Sequence, residues 1–537
     1  MKTYYNKIFT VVITFIGLTF ISSCTDDLNI TPEDDQTILS EELFEDENAY
    51  KEVLAGVYAN LSLTGVDGAG SSNIQGLDAG TSQYGRTLVY LQTLSADQMI
   101  WSYENDPGVR EIQRNIWTSG NPLFYGMFGR ASASVAFAND FLRETTDEKL
   151  DARDVSAAVR ADIVTYRAEA RLLRALAYYH LMDLFGKAGF VTENDPVVTN
   201  FYSPEANRAQ LFEFIETELK AIEGDLMDPM TNEYGRADKG VAWMILAKLY
   251  LNAEVYLGTD RYSDCINYCN KIIGGGYSLA PNYLDLFKAD NNVSTATNEI
   301  IFPLISDGLT TQNYGPTTVM INGAVGSIEK NGVSLGVGEG GWGGALRVRK
   351  QFADLFTGGA FLTDTRNTLI TQDRSDIITD ISDRDEGYII AKYSNVGSTG
   401  TPGVDQTFVD TDFPLFRLAD VYLMYAEAVV RGGTGGTIGQ AVTYVNMLRT
   451  RANNPQAITV TDLTEDFILD ERARELHWEA HRRQDLIRFN KFTGGNYNWA
   501  WKGNASNGIA IPAHFNVYPI PSNSLATNPN LTPNPGY

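Results

Sequence analysis

One run of helical periodicity limits the possible folds of this chain more than any other feature. From Ala157 to Phe185 the sequence reads AAVRADIVTYRAEARLLRALAYYHLMDLF, without a glycine or a proline, and Gly186 follows directly. A glycine there is typical of a helix C-cap, because glycine adopts the left-handed conformation without strain. Helices of this length depend on neighbouring helices to cover their apolar stripe. The run therefore predicts a long helix inside a helical array.

The same period of 3.6 residues recurs in seven other segments. They are Asn48–Leu61, Ala206–Gly224, Ala237–Leu257, Tyr262–Ile273, Arg417–Arg431, Ile438–Arg451 and Leu463–Phe492. Ala247–Leu257 and the helix after it carry Ala, Tyr and Leu at close-packing positions, which resembles tetratricopeptide repeats with a loosely kept period. Residues 290–415 are rich in glycine and lack this period, and loop regions of such length are usually functional. We expect a mainly α fold with one loop-rich region.

The charge balance is strongly acidic. Lys and Arg total 42 and Asp and Glu total 67, which gives a net charge of −25 at pH 7. Such a chain repels phosphate backbones, so nucleic acid is excluded as a natural partner. Aromatic residues make up 11% of the chain, enough to supply stacking surfaces for a ligand.

Three cysteines are too few for a disulfide framework. Cys265 and Cys269 are four residues apart on a predicted helix and share one face. Two buried free thiols are the favoured interpretation. A strained bridge and half of a metal site are the alternatives.

The N-terminus has the pattern of an export signal. Lys2 and Lys7 precede the apolar run Ile8–Ile21, which is short for a membrane span, and Ser22-Ser23-Cys24 ends it. This ending resembles a bacterial lipobox, in which residues 1–23 are removed and the Cys24 thiol and amine are acylated, giving a stable anchor. An ordinary secretory signal with a chance cysteine is the alternative. The acidic pair after the cysteine resembles a surface-export signal, and residues 24–40 are expected to be a flexible acidic tether.

Several segments together resemble the SusD/RagB family of outer-membrane nutrient-binding lipoproteins. They are PLFRLADVYLMYAEAVVRGG (Pro414–Gly433), VNMLRTRAN (Val445–Asn453), ILDERARELHWEAHRRQDLIRFNKF (Ile468–Phe492), YPIPSNSLATNPNLTPNPGY (Tyr518–Tyr537), YRAEARLLRALAYYHLMDLFG and GRADKGVAWMILAKLYLNAEVY. With the lipobox they cover nearly all of the mature chain. No single segment would identify the family.

The resemblance implies a superhelix of four tetratricopeptide-like helix pairs that supports a loop-rich lobe. It divides the mature chain into residues 41–289, with the tetratricopeptide-like helices, and residues 290–537, with the ligand lobe and the closing helices. It further implies a protein on the cell surface, anchored in the outer membrane by lipid. Such proteins bind glycans without cleaving them and act as a hinged lid on a SusC-like TonB-dependent transporter.

Four loops carry residues suited to an oligosaccharide, whose ring faces pack on aromatic rings and whose hydroxyls need polar side chains. In Ala96–Asp106, alternate residues of an extended chain point the same way. In Gly336–Gly344, glycines leave the tryptophan ring free to face outward. The residues are Trp101, Tyr103, Asn105, Trp342, Tyr314, Arg86 and Asp78. For each aromatic residue, a place in the core is the alternative.

The family's starch-binding prototype has an aromatic arc and hydrogen-bonding residues in these segments. Carried over, the resemblance assigns Trp101, Tyr103 and Trp342 to the arc and the other four residues to polar contacts. The prototype's second arc tryptophan is Tyr103 here, and the segment before Asn105 is one residue shorter, which puts the register of Asn105 in doubt. An arc suits the curved helix of an α-1,4-glucan.

A structural calcium ion is the one cofactor that the sequence suggests. Asp410 and Asp412 project alike on an extended stretch, and Asn292 lies in the oxygen-rich ADNNVS. Calcium prefers clustered oxygen ligands, and similar segments of the prototype hold calcium. A solvated acidic turn is the alternative.

Two other function classes remain open beside glycan binding. HWEAH (His477–His481) spaces two histidines as zinc helices do, but Trp478 stands where the zinc-protease signature needs glutamate. A helix face with Arg472, Arg474 and Arg482 in ion pairs is the favoured interpretation there. No nucleophile motif or singled-out carboxylate pair indicates an enzyme. A surface glycoside hydrolase and a protein-binding helical scaffold are the rivals.

Overall fold

The computed structural model describes residues 40–324, 334–338 and 342–537. The chain divides into two compact units, residues 1–50 and residues 51–537. The domain boundary expected between residues 289 and 290 falls inside the second unit. The predicted signal peptide, Cys24, nearly all of the predicted tether and residues 339–341 of the glycine-rich segment lie outside the described residues.

The described residues are mainly helical, which confirms the predicted fold class. The first helices are α1 (Ser40–Leu43), α2 (Ala49–Ser62), α3 (Tyr84–Val89), α4 (Val109–Gln113), α5 (Pro122–Glu144), α6 (Asp147–Ala152), α7 (Ala157–Phe185), α8 (Arg208–Ile222) and α9 (Lys239–Leu251). The later ones are α10 (Ala253–Leu257), α11 (Tyr262–Ile273), α12 (Pro316–Ala324), α13 (Lys350–Ala353), α14 (Leu418–Val430), α15 (Ile438–Arg451), α16 (Glu465–Leu476), α17 (Arg482–Arg488) and α18 (Ser522–Thr527). A π-helical turn, Tyr90–Leu94, extends α3.

The strands are short and pair two by two. They are β1 (Ile100–Trp101), β2 (Lys187–Gly189), β3 (Glu205–Asn207), β4 (Ile300–Leu304), β5 (Leu346–Arg347), β6 (Leu369–Ile370), β7 (Ile389–Ile390) and β8 (Phe413–Arg417). The antiparallel pairs are β1–β5, β2–β3, β4–β8 and β6–β7. Three of these four pairs include a strand from residues 290–415, so short ladders and 3₁₀ turns, rather than long helices, build the region where no helical period was found.

Helix packing follows the predicted helix-pair pattern. α5 packs on α7, α7 on α8, α9 on α11, and α14 on both α11 and α15. The helix predicted first, α7, has its expected bounds: the Ser156 side chain caps its start, and Gly186 ends it with φ of 72°. The apolar residues of these faces join one extended core.

Two predicted helices are interrupted. We did not predict the breaks, because local periodicity does not reveal a break that distant contacts stabilise. The segment Ala237–Leu257 breaks at Asn252. The segment Leu463–Phe492 ends as a helix at Leu476 and resumes at Arg482, and Trp478 and Ala480 have φ of 61° and 62°. HWEAH therefore does not lie on one helix, contrary to our expectation.

Both histidines of this break are buried in polar contacts of their own. His477 Nδ1 lies 2.9 Å from the Arg474 carbonyl oxygen, and His481 Nδ1 lies 3.1 Å from Lys248 Nζ. Burial lowers the pKa of His481 to about 3, so this ring is neutral. Across the described ranges, no group of three or more His, Cys, Asp and Glu side chains is arranged to hold a metal ion.

The ion pairs expected for the nearby arginines are confirmed, and all of them are buried. The pairs are Arg472 with Asp420 and Asp485, Arg474 with Glu471, and Arg482 with Asp97. Glu475, also fully buried, contacts Arg366, Arg417 and Arg451. Buried charges persist only when they are paired in this way.

The predicted free thiols are confirmed. Cys265 and Cys269 are buried and unbridged on α11, with 4.0 Å between their sulfur atoms. Burial raises the pKa of the Cys269 thiol well above its usual value. Both residues behave as small apolar core residues.

Among the helices of the described ranges, none combines the length and apolar character needed to cross a bilayer.

Candidate functional site

A cleft of about 560 Å³ brings together six of the seven predicted glycan-contact residues. They are Asp78, Arg86, Trp101, Tyr103, Tyr314 and Trp342. These residues come from four distant parts of the chain. Aromatic rings and charged side chains therefore face one space, as an oligosaccharide site requires.

Short regular elements bring these segments together. Trp101 ends β1 and pairs with Leu346 of β5, and Trp342 lies four residues before Leu346. Arg86 lies in α3, and Tyr314 lies two residues before α12. The β1–β5 ladder thus joins the two tryptophan-bearing segments.

Trp101 is much more deeply buried than we expected of a residue in a ligand-binding aromatic arc. Its residue exposure is 3%. Its Nε1 donates a hydrogen bond of 2.9 Å to Asp106 Oδ2, and its six-membered ring packs against Gly323 of α12, where an added Cβ would lie 2.5 Å from Cζ3. Trp101 therefore forms a fixed wall of the cleft rather than a protruding platform.

The other three rings are half-buried. Tyr103 lies 5.5 Å from Trp101 between ring centroids, and the Arg384 guanidinium lies 4.5 Å over the Tyr103 ring and also contacts its hydroxyl. Tyr314 and Trp342 are 6.4 Å apart and inclined by 35°. The ring planes are inclined by 59° within the first pair and by 35° within the second, so the four rings do not form one flat platform.

Asp78 and Arg86 each use part of their hydrogen-bonding capacity within the protein. Asp78 Oδ1 accepts hydrogen bonds from the Thr81 amide and hydroxyl at 2.7 and 2.9 Å, and Arg86 Nε donates to the Tyr90 hydroxyl at 3.2 Å. Partial burial acts to raise the pKa of Asp78, but the Thr81 hydrogen bonds and the Arg86 charge outweigh it and hold this pKa below its usual value. The cleft thus offers an ionised acceptor and a cationic donor.

Asn105 is the one predicted contact that does not line the cleft. It is exposed, and its neighbour Asp106 lines the cleft instead. Backbone hydrogen bonds from Glu104 to Ser102 and from Asp106 to Tyr103 turn the chain, which ends the alternation on which our prediction rested. The letters NDPG, a turn signal, begin at Asn105 and would have located this turn.

A second cavity, of about 420 Å³, is less suited to a sugar. It is lined mostly by apolar side chains, among them Leu54, Phe302 and Leu304. Two of its charged groups, Lys51 and Glu233, contact each other at 2.6 Å. Sugar hydroxyls would find few free partners there.

The contacts of the predicted calcium ligands do not resemble an open oxygen cluster. Asp410 accepts backbone N–H hydrogen bonds on both carboxylate oxygens, and Asp412 accepts one from the Ser306 amide and one from the Tyr234 hydroxyl. Asn292 is exposed, and it is the buried neighbour Asn291 that hydrogen-bonds the Asp412 backbone. N–H and O–H donors contact all four oxygens of these two carboxylates, and calcium binding stays a prediction.

Comparison with known proteins places this geometry in context. The model of the SusD family matches residues 336–537. The chain is 34% identical over the full length of both chains to the starch-binding protein SusD of Bacteroides thetaiotaomicron. It is 25% identical to a SusD-like protein of Bacteroides ovatus, over 67% of each chain.

Solved structures share the fold at low sequence identity. A SusD superfamily protein of Parabacteroides distasonis aligns with a TM-score of 0.68 at 19% identity, covering 93% of this chain and 100% of that one. Surface glycan-binding protein A of Bacteroides thetaiotaomicron, solved with laminarihexaose, aligns with a TM-score of 0.66 at 21% identity, covering 90% and 98%. These likenesses support the mainly α architecture.

Proposed function

This chain belongs to the SusD family, and on that premise we propose that it is a cell-surface lipoprotein that captures oligosaccharides for import. Its favoured ligand is an α-glucan of the starch type. It passes the glycan to a TonB-dependent outer-membrane transporter, on which it sits as a lid. The lipid on Cys24 holds it at the outer membrane.

One observation carries the proposal: four aromatic rings, two aspartates (Asp78 and Asp106) and Arg86 line one cleft. Sugar rings have apolar C–H faces that pack on aromatic rings, and their hydroxyl rims need donors and acceptors. The inclined ring pairs suit a curved chain such as an α-1,4-glucan. The relative at 34% identity is named a starch-binding protein, in agreement with this ligand class.

We propose that the protein binds glycans without cleaving them. The SusD family consists of carbohydrate-binding proteins rather than enzymes. Confinement beside a transporter raises the effective concentration of a weakly held glycan, so modest affinity is sufficient for delivery.

Affinity electrophoresis in gels containing starch, laminarin, xylan or mannan tests the ligand class. We expect starch to retard the protein most. Trp342→Ala should weaken the interaction by about 2 kcal/mol, roughly thirtyfold in Kd, as is usual for a well-packed tryptophan contact. Tyr202→Ala is the matched control, because Tyr202 is an exposed loop aromatic outside the cleft.

The same protein separates the rival functions. New reducing ends that accumulate with time would establish a hydrolase. Retardation by none of the four polysaccharides would favour the protein-binding scaffold. Equal retardation of the Trp342→Ala variant and wild type would mean that glycan is held elsewhere.

A further inference from the structure

The far wall of the cleft depends on a contact between two loops, residues 305–315 and residues 403–412. Tyr314 of the first loop lies edge-on to Phe408 of the second, with 5.2 Å between centroids. Tyr314 also neighbours Trp342 across the cleft wall. The placement of Tyr314 toward a ligand therefore depends on how the two loops are joined.

Two aspartates join them. Asp410 Oδ1 accepts from the Gly308 amide at 2.8 Å, and Oδ2 accepts from the Val404 amide at 2.9 Å, so one carboxylate bridges both loops. Asp412 Oδ1 accepts from the Ser306 amide at 2.8 Å. We call these two carboxylates with their backbone donors the aspartate clasp.

The loops approach so closely that only glycine fits at one point of the clasp. A Cβ on Gly308 would lie 2.6 Å from the Phe408 carbonyl oxygen and 3.0 Å from Asp410 Oδ1. The Ser306 hydroxyl adds a hydrogen bond of 2.8 Å to the Val409 carbonyl. Glycine is the residue that permits such a backbone approach.

The second loop is in turn fixed to the rest of the site. The Asn322 side chain in α12 donates to the Thr407 carbonyl at 2.9 Å, and the Gly338 amide donates to the Gln406 carbonyl at 2.8 Å. α12 also carries Gly323, against which Trp101 packs. The clasp therefore connects Tyr314 to the same support that fixes Trp101.

We infer that Asp410 is a positioning residue for glycan binding, which holds Tyr314 in the cleft without a metal ion. This inference rests on the proposed function. All four oxygens of the two clasp carboxylates accept hydrogen bonds from N–H or O–H donors, and among the described residues no group of three or more His, Cys, Asp and Glu side chains is arranged to hold a metal ion. The donor set does not fit the cation that the family resemblance implies for these aspartates.

Two variants open the clasp by different means. Asp410→Asn keeps the shape but turns an N–H₂ group toward a backbone N–H, so one bridge is lost. Gly308→Ala separates the loops and removes no carboxylate. Asp462→Asn is the matched control, because its exposed carboxylate also accepts a backbone N–H, from Thr459 at 2.8 Å, in a loop that does not line the cleft.

Glycan affinity is measured by calorimetry, with and without a calcium chelator. We expect Asp410→Asn and Gly308→Ala each to raise Kd about tenfold, and the chelator and Asp462→Asn to leave it unchanged. In a Tyr314→Ala background, the two clasp variants should change Kd less than twofold, because the ring they position is gone. If the clasp variants instead caused a general loss of structure, their fold-increase in Kd would multiply with the fold-increase caused by Tyr314→Ala.

Three results would overturn the inference: wild-type affinity in both clasp variants, full multiplication with Tyr314→Ala, or a chelator effect that calcium reverses. Hydrogen exchange of residues 304–315 is followed on the same samples, so that folding is monitored independently of binding. If wild type binds none of the glycans, the proposed function fails, while faster exchange in Asp410→Asn would still support the clasp. Unchanged exchange in both clasp variants would refute the clasp itself.

Discussion

Gly323 provides a direct test of how Trp101 is held in the cleft. An added Cβ would lie 2.5 Å from Trp101 Cζ3, whereas carbon atoms in contact are about 3.5–4.0 Å apart. The Gly323→Ala change must therefore move the indole or α12 by about 1 Å. Trp101 has little freedom to adjust. Its Nε1 donates a hydrogen bond to Asp106, and its backbone N–H and C=O are both hydrogen-bonded to the Gln113 side chain.

The expected loss of stability in Gly323→Ala follows from the close approach of its added Cβ to Trp101. Overpacking a buried site destabilises by about 1–3 kcal/mol, while replacing glycine by alanine inside a helix stabilises by roughly 0.5–1 kcal/mol. Gly56→Ala isolates the second effect, because Gly56 is an exposed residue of α2 whose added Cβ would have no neighbour within 4 Å. Relative to Gly56→Ala, the Gly323→Ala variant should be less stable by about 1–3 kcal/mol.

Urea unfolding followed by tryptophan fluorescence measures this difference, and calorimetry with the preferred glycan measures its effect on the cleft. We expect Gly323→Ala to weaken glycan binding about tenfold, which is about 1.4 kcal/mol, and Gly56→Ala to leave it unchanged. If Gly323→Ala matched Gly56→Ala in both stability and affinity, Trp101 would not be pinned against α12, and the account of a fixed wall would be wrong.

Three further predictions concern the buried polar groups. Glu475→Gln should lower the free energy of unfolding by about 3–5 kcal/mol in a urea titration, because it leaves three buried guanidinium groups short of one carboxylate; an unchanged midpoint would contradict the ion-pair assignment. Asp106→Leu should raise the Kd for glycan about fivefold, because the Trp101 Nε1–H loses its acceptor, and an unaltered Kd would show that the hydrogen bond does not orient the ring. In a form that begins after Cys24, a thiol reagent should label neither Cys265 nor Cys269 until the protein is unfolded, and labelling of the native protein would show that α11 opens.

The sequence predicts the bounds of helices that are set by local residues. It does not predict helix breaks that are set by contacts with residues far away in the chain. The bounds of α7 follow from its unbroken periodicity and from Gly186, both of which lie within the segment. The break at Trp478 has no such signal, because neither glycine nor proline occurs in HWEAH. Its left-handed residues are stabilised by buried ion pairs and polar contacts with residues far away in the chain.

In the candidate site, too, some features follow from local sequence and others depend on distant contacts. Aromatic residues beside glycines and turns led us to predict Trp101, Tyr103, Tyr314 and Trp342 as ligand contacts, and all four line the cleft. The depth of Trp101 could not be predicted, because it depends on α12, which begins more than 200 residues later in the chain.

Three rings of the cleft are each supported by a residue distant in sequence, in addition to any local contacts. Gly323 packs against Trp101, Arg384 stacks on Tyr103, and Phe408 contacts Tyr314. A ring that is already held loses little conformational freedom when a sugar stacks on it, so more of the contact energy appears as affinity. It follows that a protein with the same aromatic residues but without these supports would bind the same glycan more weakly. Glycan affinity in this fold should therefore vary with the supporting residues as much as with the rings.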